Sequence, residues 1–241
     1  MHSSDKIWRM LILAAILAIF VYGLVAPLLG AVLGSYNLPG GQSGIVALVQ
    51  ALGLVIASLS AGPLIDIRGK KVALVAGLGL VVVATFWAPN AGGYNGLLAA
   101  YFVLGFGGGT VVTAANALAG DVDETRRGTT LNLLNLFFGL GGIVTALVAG
   151  HVAARELCYG VGVLAAITLL VNAITKMPAP SGVSAFKVSE AFSLLTRPAL
   201  LLLSVFLFFY VACEVGIWNW LKSYLVASGI DATTASNVVG Y

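Results

Sequence analysis

Charge is what this sequence has least of. Asp, Glu, Lys and Arg make up 9% of its 241 residues, against roughly a quarter in a water-soluble domain. Hydrophobic residues make up 60%, and mean hydropathy is +1.03. A soluble fold of this size has no interior large enough to hide so much apolar surface. A lipid bilayer is the solvent that fits. Cysteine is nearly absent: Cys158 and Cys213 lie in separate apolar stretches without CxxC spacing or a neighbouring His pair. That excludes a disulfide framework and a zinc site, and both are expected to be small apolar core residues. The histidines, His2 and His151, stand at the terminus and at the end of an apolar run, where ordinary local satisfaction is expected. No nucleophile elbow, HExxH or P-loop occurs, so neither a known hydrolase nor an ATP-driven pump is supported. No catalytic residue, metal or cofactor is expected. Gly160-Val161-Gly162-Val163-Leu164-Ala165 fits G-x-G-x-x-A, but inside an apolar run with no strand before it, so a dinucleotide site is rejected.

What the sequence does have is long hydrophobic runs. A membrane-crossing helix needs about 20 apolar residues, and seven stretches qualify: residues 7–34, 44–64, 72–88, 96–119, 131–153, 157–175 and 199–226. An eighth is expected to begin near Thr233. The first run follows Lys6 and Arg9 and is too long for a signal-peptide core, so it reads as a retained span. Connections are short and turn-like, except for residues 176–197, which carry Pro178, Pro180, Ser181 and Gly182. The expected organisation is a six-helix unit over residues 1–177, a cytoplasmic linker over 178–197, and the start of a second unit over 198–241. Ten of the 12 Lys and Arg fall on one side: Lys6, Arg9, Arg68, Lys70, Lys71, Arg126, Arg127, Lys176, Lys187 and Arg197. Only Arg155 and Lys222 fall on the other. The positive-inside rule then places the N-terminus in the cytoplasm. The same clustering in short loops makes the net charge of +3 no sign of a nucleic-acid partner. The two triplets of spans echo each other weakly, as Asp66…Arg68-Gly69-Lys70-Lys71 and Asp123-Glu124-Thr125-Arg126-Arg127-Gly128, at positions that are not equivalent in a strict repeat.

Between spans two and three stands Gly62-Pro63-Leu64-Ile65-Asp66-Ile67-Arg68-Gly69-Lys70-Lys71. It resembles the signature loop of the major facilitator superfamily, G-x-L-x-D-r-x-G-r-k, in pattern, position and side. One departure is that Ile67 follows the acid and Arg68 comes one place later. In this reading Gly62 and Gly69 permit a tight turn, Asp66 accepts hydrogen bonds from helix N-terminal amides, and the basic residues anchor at anionic headgroups. The resemblance implies an all-α integral membrane fold: a six-helix bundle of two inverted triplets, here followed by one or two helices of a C-terminal half. It further implies a secondary transporter in a plasma membrane, the bacterial inner membrane. Its partners would be a small-molecule substrate and the lipid bilayer.

Three further stretches are similar to the fucose, glucose and galactose proton-symporter branch: Gly105-Phe106-Gly107-Gly108-Gly109 with Thr113-Ala114-Ala115-Asn116; residues 131–141; and residues 209–220. The branch implies a sugar substrate and proton coupling. The acid that often precedes the span-four asparagine is absent here, where Val112 and Thr113 stand, and span one has no carboxylate. Coupling then falls to Glu214, the one acid deep in a span. A carboxylate there costs several kcal/mol unless it is protonated, paired or facing water. Glu214 therefore reads as a substrate or proton group, with a structural interhelical bond as the rival. Tyr210 and Trp218 flank it at i−4 and i+4, an aromatic-and-acid face suited to sugars. Asn132 and Asn135, with Asn116 and Gln50, would offer neutral donors and acceptors to a polyol, or else bond helix to helix. Tyr22 is a further candidate. Trp8, Trp87 and Tyr94 read as interfacial anchors. Small residues at every fourth position, Gly53, Ala57, Ala61 and Gly142, Ala146, Gly150, are expected to make spans two and five pack tightly.

Three alternatives stay open. A drug-type exporter usually carries a Gly-Pro signature in span five, which Gly139-Leu140-Gly141-Gly142-Ile143 lacks. A seven-helix receptor or retinal protein, invited by Lys222, has its N-terminus outside. A truncated product is the third: twelve spans need roughly 240 residues before any loop. On that count the chain is expected to be six spans plus one, with a C-terminal half missing. The orientation is tested by a His2→Cys variant and a membrane-impermeant maleimide. Labelling only after the cytoplasmic face is opened is expected. Labelling of intact cells would reverse the topology and revive the receptor reading.

Overall fold

The computed structural model describes residues 2–39, 41–122, 127–178 and 196–240. All regular elements among them are helical: α1 (His2–Val25), α2 (Leu28–Val32), α3 (Gln42–Arg68), α4 (Lys70–Trp87), α5 (Tyr94–Val122), α6 (Arg127–Val148), α7 (Ala154–Ile174), α8 (Pro198–Ala227) and α9 (Ala232–Gly240). Among the described residues seven stretches are long and apolar enough to cross a bilayer, the first being Trp8–Tyr36, in which α1, α2 and a closing 3₁₀ turn (Leu33–Tyr36) run on from one another. The molecule is a multi-pass membrane protein. Most of the expected linker and Asp123-Glu124-Thr125-Arg126 lie outside the described residues.

The helix pairings carry a two-fold pattern that the charge echo only hinted at. The principal neighbours are α3 with α5, α1 with α6, α4 with α5, α1 with α7, α4 with α7 and α1 with α5. Exchanging α1 for α5, α3 for α6 and α4 for α7 maps this set onto itself, as two inverted triplets require. Glycines set the close approaches. Gly105 and Gly109 of α5 sit on the backbone of α3 at Gln50 and Leu54, while Gly53 of α3 sits on the backbone at Phe102 and Phe106. The symmetry-related contact joins Gly23 of α1 to the Phe138 carbonyl, and Gly141 of α6 to Phe20 and Gly23. In lipid no hydrophobic drive pulls helices together, so close backbone packing takes its place. The small-residue stripes do pack tightly, against different neighbours. Gly53 and Ala57 meet α5, whereas Gly142 meets Trp218 of α8 and Gly150 meets Thr233 and Ser236 of α9.

The signature segment differs from its expected shape. Gly62 is inside α3 with Pro63, and only Gly69, at φ +88°, makes the turn. Asp66, in the last turn of α3, accepts no amide hydrogen bond among the described residues. Its neighbour in charge is Lys70. Lys70 is not spent on headgroups, because its ammonium pairs with Asp121 at the end of α5. The motif thus ties α4 to α5 across the triplet boundary. Cys158 is buried as expected, but Cys213 is exposed, because it lies on a stretch of α8, residues 198–213, that is exposed along its whole length.

The first span breaks at Ala26-Pro27. Proline lacks an N–H and its ring crowds the preceding turn. Carbonyls freed at such a break need other donors in lipid. Thr145 of α6, itself buried, donates its hydroxyl to the Leu24 carbonyl at 2.8 Å. Thr145→Val removes that donor at nearly constant volume. It should cost about 0.6–1.7 kcal/mol, the span measured for interhelical bonds in membranes, read by reversible unfolding in detergent. Thr145→Ser keeps the hydroxyl donor and should avoid most of that loss.

Candidate functional site

α1, α6 and α8 bring three aromatic rings into one file. Tyr22 stacks on Phe138 at a centroid separation of 5.4 Å and 29°. Phe138 meets Trp218 at 5.7 Å and 35°. The Tyr22 ring lies over Gly108 of α5, where an added Cβ would sit 2.6 Å from a ring carbon, so glycine is what admits the tyrosine. Glu214, one turn before Trp218 on α8, is half-buried and within electrostatic range of Tyr22. It makes no hydrogen bond or ion pair among the described residues. A carboxylate with no fixed partner beside a phenol and an indole can exchange a proton or accept a ligand's hydroxyls.

The other candidates spread along the bundle instead of ringing one level. A Cβ added at Gly142 would lie 3.5 Å from the Trp218 ring, so this face of α6 looks onto the indole. Asn135, two turns earlier, shares that face of α6 and lies about 10 Å nearer the Lys70–Asp121 end. Asn132 is one turn further, and both are exposed. Asn116, half-buried on α5, stands eight residues beyond Gly108, about 12 Å along the axis. Gln50 lies at the α3–α5 seam, where its carbonyl meets Gly105. Tyr210 is 56% exposed, one turn below Glu214. The geometry therefore gathers Glu214, Tyr22 and Trp218, adds Asn135 on the same face, and leaves Asn116, Asn132, Gln50 and Tyr210 at other depths. Phe138 was missed. It sits one turn from both Asn135 and Gly142, and that spacing could have exposed it.

The seam is closed at one end. Gly30 of α2 abuts the backbone of Trp218 and Asn219, and Lys222 donates to the Ala31 carbonyl at 3.0 Å. Thr233 of α9 donates its hydroxyl to the Gly150 carbonyl at 3.0 Å. Asp231 caps α9 through the Thr233 and Thr234 amides, and its bonds to Thr234, from the side chain and then the amide, hold its carboxyl below the usual range. Toward the other end, residues 198–213 of α8 are exposed without interruption. A cleft thus opens toward the Lys70–Asp121 end, with the ring file near its closed apex. Lys222 is half-buried and already bonded to a backbone carbonyl. The ring file makes a measurable claim. In a double-mutant cycle, Phe138→Ala and Trp218→Ala should couple by about 0.5–1.5 kcal/mol, read by unfolding in detergent. Additive effects would mean the rings do not meet.

Comparison with known proteins agrees with the architecture. The niacin transporter NiaP of Acinetobacter baylyi is 28% identical over 160 residues, covering 65% of this chain and 36% of that protein. Among solved structures, the D-xylose-proton symporter superposes with TM-score 0.72 at 13% identity, covering 96% of this chain and 65% of its own. The nucleoside transporter NupG gives 0.73 at 15%, with 97% and 63% covered. A variant of the E. coli fucose:proton symporter gives 0.70 at 21%, with 95% and 66% covered. The chain therefore spans about a third of its curated relative and just under two thirds of these structures. At these identities the structures speak for the fold alone. The model of the Major Facilitator Superfamily matches residues 11–241. This excludes the receptor and retinal-protein reading, and the chain belongs to the Major Facilitator Superfamily.

Proposed function

We propose that the chain is part of a secondary transporter that moves a small polar solute, a sugar, across the bilayer by alternating access, with Glu214 as its proton-linked group. The observation that carries this is the Glu214–Tyr22–Phe138–Trp218 cluster, built from helices of both the six-helix unit and the segment after it. Ring faces stack on the apolar C–H faces of a pyranose, and the carboxylate takes its hydroxyls. Asn135 and, nearer the mouth, Asn132 and Asn116 extend neutral polar contacts toward the open end. The solved relatives named above for xylose, fucose and nucleosides all carry small polar solutes, which supports the class. In the same reading residues 1–177 form one half, 178–197 the linker and 198–241 the start of the other half. In this reading the N-terminus is cytoplasmic, the side that the loop charges favour, and the membrane is a bacterial inner membrane. The missing proline in α6 weighs against a drug-type exporter.

A second reading has its own observation. The curated relative is described as a niacin transporter, and a file of stacked rings also suits a flat heteroaromatic acid. Uptake of labelled xylose, fucose and nicotinate in cells, with and without a protonophore, separates the two. Sugar accumulation that collapses with the protonophore supports the first reading. Accumulation of nicotinate alone supports the second. Glu214→Gln should lose concentrative uptake but keep exchange. Its affinity should fall roughly 10- to 100-fold, the 1.5–3 kcal/mol of a hydrogen bond to a charged group. Unchanged proton-driven uptake in Glu214→Gln would remove Glu214 from the mechanism.

A further inference from the structure

At the closed end of the seam a small cavity lies beyond the ring file, bounded by Pro27, Ala31, Ala146, Trp218, Lys222 and Ser236. Its walls are mostly apolar, and two polar groups reach it. The Lys222 ammonium has three N–H donors and places one on the Ala31 carbonyl. The Ser236 hydroxyl is 1% exposed and has no hydrogen-bond partner. Lys222 has no acidic counterpart among the described residues, where the one ion pair is Lys70–Asp121. Glu214 stands two turns away on α8, about 12 Å along the axis. Asp231 is turned to the amides of Thr233 and Thr234. A partly desolvated ammonium facing an apolar wall needs a compensating negative charge. A backbone carbonyl satisfies one proton but supplies no charge.

We propose that this cavity is a binding site for one small monovalent anion, held between the Lys222 ammonium and the Ser236 hydroxyl at the seam between α2, α6, α8 and α9. Water would fill the space and bond to Ser236, but would leave the lysine charge uncompensated. The chemistry required is a single negative charge on a small group: a halide, or the carboxylate end of a solute. The anion would sit against Trp218, at the apex of the cleft, where helices from the two sides of the seam meet. Its occupancy would add a charge-assisted contact to the closure already made by Gly30 and the Lys222–Ala31 bond. This site shares the Trp218 ring with the Glu214 cluster, but its polar groups, Lys222 and Ser236, are not part of that cluster, and it can be tested with no gradient and no transport.

The test is quenching of tryptophan emission by iodide in the purified protein reconstituted in nanodiscs. A saturable component is expected on top of linear collisional quenching, and Trp218→Phe should abolish it, since Trp8, Trp87 and Trp220 do not line the cavity. Lys222→Met should weaken the saturable component at least ~10-fold, as loss of a charge-assisted contact does, while Lys222→Arg should retain it. Ser236→Ala, a milder change, should weaken it several-fold and guards against a Lys222 variant that fails to fold. Chloride and formate are then added as competitors. Competition by chloride assigns a free halide. Competition by formate alone assigns a carboxylate end group, and either outcome supports the site. Quenching that stays linear and is unchanged by Lys222→Met and Ser236→Ala would mean the cavity holds water only, and would overturn the proposal.

Discussion

The structure turns on a break in its first membrane helix. In a bilayer a backbone carbonyl without a donor costs several kcal/mol. Pro27 cannot continue the hydrogen-bond ladder of α1, and the chain resumes as the short α2 and a 3₁₀ turn. The carbonyls left over are answered from outside. Thr145 of α6 bonds Leu24, and Lys222 of α8 bonds Ala31 near the end of α2, where helix carbonyls lack internal partners. Two hydrogen bonds thus attach the first span to a helix within its own unit and to a helix beyond it. Gly23, Gly30 and Gly141 let those helices come close enough for the bonds to form.

The shape of the cleft follows from that attachment. Closure is made at the end where α2, α8 and α9 meet, and toward the opposite end residues 198–213 of α8 are exposed throughout. Tyr22 lies one turn before the break, so the same kink that exposes carbonyls also fixes the depth of the ring file. Phe138 is held over Tyr22 because Gly141, one turn on, is drawn against α1. Glu214 and Trp218 arrive from α8 at the same level. A group whose partners come from both sides of a seam is sensitive to whether that seam is open, which alternating access requires of its solute and proton groups.

Much of this was legible in the sequence, for reasons that can be named. Hydrophobic runs of about 20 residues have few competing explanations, so the seven spans and the helix at Ala232–Gly240 were readable. The signature glycines were readable as a pattern but not as a shape, because Gly62 is helical and only Gly69 turns. Small-residue stripes told that helices would pack closely, but not which neighbour each would meet. Glu214, Trp218 and Tyr22 could be nominated from burial cost and aromatic spacing. Phe138 carried only a weak signal, its one-turn spacing from Asn135 and Gly142, since one phenylalanine in an apolar span looks like any other until a partner helix is placed. Lys222 read as one of two basic residues on the outer side. Its i+8 relation to Glu214 was on the page, but the broken helix it serves was not.

The central claim is that the seam is closed at the α2–α8 end and open at the other. Paired cysteines with a short bismaleimide test it directly. One pair joins Ala31→Cys with Lys222→Cys, and the other joins Met10→Cys with Leu202→Cys near the opposite end. Efficient cross-linking of the first pair and little of the second is the predicted result. Efficient cross-linking of Met10→Cys with Leu202→Cys, and none between positions 31 and 222, would contradict the account.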